Sequence, residues 1–435
     1  MTAMDMNRPS GGMNARVAGA TRVRWTHVAP TLLVIWIVSM FDKAGMSIVQ
    51  NNPKFLDEFQ LNGQQGRVGQ LTFALFLAYG VFAPVWGWVV TRIGARKTAA
   101  ISLVIWALTC FWSGLAADYN SLWWSRAALG FGEAAIYPYT VSLVAGWFAL
   151  KERGRATSFW WIGTMIGPML MGLLVTWLIV NYGWRGQFHA LGVLTLLVPL
   201  PMIWFLVRDK PVEHKGANAG EADLVVDGSL GNNQDAPGRL HAASAIHWSR
   251  NLRFWLVTIA ISANAVFYWG WSIWLPSYLR TARGLSFQTS GYLTFVIFGF
   301  AVLTILAVGH YSDRIFRRAP LALAGWVGAA VFLIIAAFSP DVVWAIVFNI
   351  LALCSLQVGI SCAEMLMHSV CSEDDMGASQ GVRSFFALTT GALSPLAIGY
   401  ILQSTGNNYI VVFMMLAAAV VVSAACMIKL IIEGY

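Results

Sequence analysis

Charge is scarce in this chain. Asp, Glu, Lys and Arg make up 11% of its 435 residues, while 58% are hydrophobic. Soluble domains carry roughly 25% charged residues, so a soluble globular protein is excluded, and a mean hydropathy of +0.64 indicates a polytopic membrane protein. The five cysteines, Cys110, Cys354, Cys362, Cys371 and Cys426, lack paired metal-ligand spacing and read as packing residues. No Asn-x-Ser/Thr acceptor occurs, which removes one hint of a glycosylated surface protein. No His-Glu-x-x-His or His/Cys cluster is present either, and His189 and His368 are isolated near span ends. An enzyme, a metal site and a cofactor are therefore not expected.

What is abundant is apolar runs of about 20 residues, the length that crosses a hydrocarbon core. Six lie near 28–49, 68–90, 98–116, 121–148, 156–181 and 187–207, and six more near 254–279, 287–311, 319–338, 342–368, 378–403 and 409–431. The expected fold is all-α, with twelve transmembrane helices in two six-helix bundles over residues 28–207 and 251–435. Residues 1–27 read as a cytoplasmic tail rather than a cleaved signal. Residues 208–250, rich in Gly, Asn, Asp and Ala, read as a solvated cytoplasmic linker. Basic residues follow helix 2 (Arg92, Arg96, Lys97), helix 4 (Lys151, Arg153, Arg155) and helix 8 (Arg314, Arg317, Arg318), which places both termini on the cytoplasmic side of an inner or plasma membrane. The +8 net charge then reflects topology and gives no ground for nucleic-acid binding.

Against this apolar background, "TLLVIWIVSMFDKAGMSIV" sets Asp42 and Lys43 inside a span. A charge near a helix centre costs roughly 2.5–3.5 kcal/mol on insertion scales, so such residues are functional candidates by default. In helix 4, Arg126 and Glu133 are seven residues apart and share one stripe, with Gly130 and Gly132 allowing close helix approach. Counting from the span ends, Arg126 comes to the depth of Asp42 and Lys43, with Glu133 two turns deeper. Two acids and two bases can thus face one cavity. The competing reading is a structural pair of salt bridges between helices 1 and 4.

The halves also repeat. "GWVVTRIGARK" from Gly87 and "GHYSDRIFRR" from Gly309 share Gly-x-x-x-[Thr/Asp]-Arg at an offset of 309 − 87 = 222, and "GPMLMG" recurs as "SPLAIG", Pro168 to Pro395, at 227. Parallel repeats of this kind belong to transporters that rock two bundles about a central site.

With these residues the chain resembles the major facilitator superfamily. Within it, the anion:cation symporter branch of sugar-acid, aromatic-acid and allantoate permeases and sialin-like carriers is similar through "FDKAG", Tyr79, "SRAALGFGEAAIYP", "WFALKERGRA", "GWRGQF" and "WLPSYL". Three positions depart from the family pattern: Thr91 stands where an Asp is usual in an inter-half charge lock whose second copy keeps Asp313, Lys43 stands for Arg, and Ser384 for a helix 11 Asn. The identity of the substrate is therefore not carried over.

The resulting expectation is import of a small organic anion (a sugar acid, aromatic acid or other carboxylate) by symport with protons, Na+ being left open, in a monomer. Lys43, Tyr79, Arg126, Thr164 and Arg383 are the candidate substrate-binding residues, Arg126 offering a planar fork to a carboxylate and Lys43 a point charge. Asp42 and Glu133 are the candidate proton-coupling acids. Glu364, Arg383, Asp313 and Arg314 form a candidate gate or second pocket. The aromatic residues Trp160, Trp161, Tyr268, Trp269 and Trp271 are possible cavity linings. A proton-coupled efflux antiporter shares the fold, and "GTMIGPMLMG" resembles efflux carriers, but two cations in the cavity suit anions better.

Overall fold

The computed structural model describes residues 21–230, 250–312, 318–370 and 376–434, and among these there is no strand. Among the described residues, ten helices or merged helices are long and apolar enough to cross a membrane. One of them, Glu152–Leu206, is two spans, because Gly183 has φ 74 and ψ 172, outside the helical region and open only to glycine at little cost. A further span is built from two shorter helices, Tyr119–Glu133 and Ile136–Trp147. Twelve crossings result, as 10 + 1 + 1.

In chain order the elements are α1 (Arg24–Val49), α2 (Pro53–Glu58), α3 (Gln65–Ile93), α4 (Ala95–Leu115), α5 (Tyr119–Glu133), α6 (Ile136–Trp147), α7 (Leu150–Trp161) and α8 (Gly163–Leu197). They are followed by α9 (Ala219–Leu230), α10 (Leu252–Ser277), α11 (Phe287–Ser312), α12 (Ala319–Phe338), α13 (Val342–Val370), α14 (Met376–Ser404) and α15 (Tyr409–Ile432). A Gly-x-Ser-x-Gly spelled by Gly377 to Gly381 lies inside α14. It has no strand-to-helix turn to expose a nucleophile.

The stretch 208–250, expected to be a solvated linker, contains α9, which docks on the first half. The Glu221 carboxylate is fully buried and accepts from Thr21 Oγ1 at 2.5 Å, Arg24 N at 2.9 Å and Arg24 Nη1 at 3.1 Å. Arg24 also pairs with Glu152 at 2.9 Å. Short polar segments hide this kind of docking from a composition reading, because one buried carboxylate supplies the anchor. Arg24, assigned to the tail by sequence, is the first residue of α1.

The halves meet through α3 against α14, α8 against α11 and α1 against α10. Both copies of the GPMLMG/SPLAIG motif lie on these seams. A side chain at Gly172 in α8 would strike the backbone at Gly291 and Phe295 of α11, and one at Gly399 in α14 would strike Gln65 O of α3. Hydrogen bonds between the halves gather at the end away from the chain termini: Gln50 Nε2 to Ile273 O at 2.9 Å, Asn51 Nδ2 to Pro276 O at 3.0 Å and Gln70 Nε2 to the Tyr400 hydroxyl at 2.7 Å. Toward the terminus-bearing end Tyr137 and Phe385 are exposed, and the Glu364 carboxylate is partly open.

Candidate functional site

Asp42 and Lys43 are consecutive on α1, so their side chains leave the helix about 100° apart. Asp42 turns toward α4 and α5. Its Oδ1 accepts from Arg126 Nη1 at 2.7 Å, and its Oδ2 accepts from Trp106 Nε1 at 3.0 Å and the Cys110 thiol at 3.2 Å. Lys43 leans back along its helix, as helical side chains do, donates to Ser39 Oγ at 2.6 Å and pairs with Glu133. Its ammonium lies 5.2 Å from the centre of the Tyr79 ring.

Helix α5 supplies the partners because its packing is close. A side chain at Gly130 would run into Leu75 O of α3, and one at Gly132 would press on Trp106 N of α4. The helix breaks just after Glu133, at Ala134 and Ala135, before α6 resumes at Ile136. Pro138 accounts for the break: it lacks the N–H that would bond the carbonyl of residue 134 in a continuous helix. Glu133 therefore sits at a discontinuity in the span.

All four charged residues are buried: Arg126 and Glu133 are 0% exposed, Asp42 1% and Lys43 5%. Each cation has one acid, so the site is charge-balanced as it stands. Pairing does not exhaust it, since Arg126 Nε and Nη2 and Glu133 Oε1 are buried without a hydrogen-bond partner. Unmade bonds to buried charged groups are costly, and here they leave two guanidinium donors and one carboxylate acceptor in reserve.

The remaining candidates are scattered more widely. Thr164 is buried and spends its hydroxyl on Trp161 O at 2.7 Å. Arg383 pairs with Glu364 in the second half, and both charges act on Tyr137 of α6 in the first half. Asp313 and Arg314 lie outside the described residues. Trp160 stacks on Trp36 with centroids 4.6 Å apart, and Trp271 Nε1 donates to Asn349, so both are packing residues. Trp269 meets Phe76 of the other half at 4.7 Å.

Sequence reasoning missed Trp106 and Cys110, which hold Asp42. Their spacing of four puts them on one face of α4, but nothing in the pattern says that an acid from another helix meets that face. It also missed Met165, whose sulfur accepts from Gln357 Nε2 of the second half at 3.1 Å.

The family model of the Major Facilitator Superfamily matches residues 32–385. The chain belongs to the Major Facilitator Superfamily. It is a membrane transporter and not an enzyme. The probable L-galactonate transporter of Escherichia coli (strain K12) is 26% identical over 417 residues, covering 93% of this chain and 88% of that protein. The probable sulfoacetate transporter SauU of Cupriavidus necator is 25% identical over 396 residues, 89% of each. Among solved structures, a D-xylose-proton symporter superposes with a TM-score of 0.72 at 14% identity, over 92% of this chain and 97% of that one, a likeness of fold. This major facilitator protein thus keeps company with carriers named for small organic acids.

Proposed function

We propose that this protein imports a small organic anion together with protons, by alternating access of its two bundles. The observation that carries the proposal is the charge balance of the first-half site, where Arg126 faces Asp42 and Lys43 faces Glu133. An anion entering a balanced, buried site adds an uncompensated charge. A proton on either acid restores the balance and releases a cation for the incoming carboxylate, so proton and anion each favour the other's binding. Lys43, beside Tyr79, makes the first contact, and Arg126 has two spare donor nitrogens for a carboxylate. Glu364 and Arg383 form the wall at the mouth of the second half. On this reading both termini are cytoplasmic, the protein works as a monomer, and the end at which Tyr137 and Phe385 are exposed faces the cytoplasm.

The relatives named for galactonate and sulfoacetate support an organic acid as substrate. Reconstituted protein should accumulate its substrate when the outside is acid. Extrusion under the same gradient would instead establish an efflux antiporter, and dependence on Na+ at constant pH would replace the coupling ion.

Voltage reads the stoichiometry. If Asp42 and Glu133 both load a proton with a monovalent anion, one net positive charge enters per cycle, worth about 2.3 kcal/mol per 100 mV. At roughly 1.4 kcal/mol per factor of ten, that supports about 40- to 50-fold accumulation at 100 mV. No voltage-driven uptake beside normal pH-driven uptake would leave a single coupling proton.

A further inference from the structure

The two halves carry one clamp at matching positions. Gly69 to Phe73 reads Gly-Gln-Leu-Thr-Phe and Gly291 to Phe295 reads Gly-Tyr-Leu-Thr-Phe, an offset of 291 − 69 = 222 that Gly87 and Gly309 share. The same offset takes Asp42 to Asn264, and Trp106 has its counterpart in Trp326, 220 residues on. The structure joins both pairs. Trp106 Nε1 donates to Asp42 Oδ2 at 3.0 Å, and Trp326 Nε1 donates to Asn264 Oδ1 at 2.8 Å. An indole N–H only donates, so in the second half the atom on Trp326 is the carbonyl oxygen and the amide NH2 points away. The joint therefore works without charge. What distinguishes the first half is that the other oxygen of its carboxylate faces a guanidinium.

We propose that Trp106 is a positioning residue that decides which oxygen of Asp42 takes the proton, and thereby makes protonation release Arg126. This rests on the reading of Asp42 as a coupling acid. Oδ2 already accepts from Trp106 and Cys110, so the proton bonds to Oδ1, the oxygen that accepts from Arg126. Arg126 keeps its own proton throughout. The proton takes the lone pair of Oδ1 that Arg126 leaves free, and the neutral hydroxyl oxygen that results is a much poorer acceptor than a carboxylate, so the charge-assisted bond is lost and the guanidinium leaves. Without the indole, the proton can settle on Oδ2, Oδ1 remains a carbonyl acceptor, and Arg126 stays. The thiol of Cys110 can turn its hydrogen away and accept, so the indole is the fixed cap. The titratable and charged groups facing Asp42 are Arg126 and Glu133 of α5, Cys110 of α4 and Lys43 of its own helix, while α8 presents the apolar ring of Phe188 to Arg126.

Infrared difference spectra of the reconstituted full-length protein between neutral and acid pH test this without any substrate. In wild type, the carboxyl band of Asp42, identified by its loss in Asp42→Asn, should appear together with a shift of the guanidinium bands. In Trp106→Phe the carboxyl band should appear without the guanidinium shift. Trp326→Phe serves as control, with a lowered Tm and a wild-type spectrum. Asp42→Asn gives a second reading that needs no Trp106 variant: its amide oxygen takes Trp106, its NH2 confronts Arg126, and the guanidinium bands should stand in their released position at neutral pH. A wild-type guanidinium shift in Trp106→Phe, or paired-type bands in Asp42→Asn, overturns the inference. An Asp42 that stays ionised across the whole range instead defeats the coupling role on which it rests.

Discussion

The first half of this transporter buries two acids and two bases, while the second half has amides and apolar residues at the matching places. Asn264 stands for Asp42, and Ala265 for Lys43. Near the counterpart of Arg126, at an offset of 223, Asn349 donates to Ala345 O at 2.8 Å and accepts from Trp271 at 2.9 Å. Both halves nonetheless fold into six-helix bundles, and both keep the indole-to-side-chain bond between their first and third spans. The second-half bundle forms with the hydrogen bond and without the charge. This internal control argues against reading the first-half ion pairs as mere braces, since buried ion pairs are often matched or bettered by uncharged packing of similar volume.

Removing one partner should hurt most. Arg126→Ala should abolish substrate binding and, by leaving Asp42 buried and unpaired, destabilise the protein by about 3–5 kcal/mol. Adding Asp42→Asn should return most of the stability and none of the binding, as seen by thermal unfolding with and without a carboxylate panel. Binding retained in the single variant would show that Arg126 is only a brace.

Charging the neutral half is the converse experiment. Asn264→Asp puts a carboxylate on Trp326 where the first half has an arginine and this half has Asn349, at a cost on the order of 3 kcal/mol at neutral pH that shrinks as the acid is protonated. Thermal melts across pH read this, and a variant as stable at neutral as at acid pH would end the claim that the scaffold there is neutral by need. Glu133→Gln imitates a protonated acid, so substrate exchange at equal pH should persist while pH-driven accumulation collapses. Wild-type accumulation would remove Glu133 from coupling. The smallest change expected is Trp326→Phe, about 1–3 kcal/mol for a buried Asn264 acceptor left unmet, with transport per folded molecule unchanged.

Much of this was legible in the sequence, and for physical reasons. Span length and apolar composition are set by the bilayer, so the count of twelve could be read, as could the stripe joining Arg126 to Glu133, which needs only helical periodicity. The partner of each charge was less accessible. Asp42 and Lys43 are neighbours, and only the rotation of α1 in the bundle decides which one meets Arg126. The clamp by Trp106 is a contact between helices 64 residues apart in the chain, which periodicity cannot pair, although the 222-residue offset with Asn264 and Trp326 carried the signal. The docking of α9 was hidden because a carboxylate, Glu221, anchors it, and nothing in its pattern names Thr21 and Arg24 as the partners.

The glycine seams have a mechanical consequence. Where Gly172 meets α11 and Gly399 meets α3, the atoms nearest each glycine are backbone, while Thr176 against Gly291 and Tyr400 against Gly66 interlock beside them. The two glycines act as bearings: at these points one helix can roll on the other without lifting a side chain out of a groove. The two bearings come from repeated motifs, one in each half. A bulky side chain in either should therefore jam the same rotation, and a methyl at Gly172 is already enough to collide with the opposing backbone.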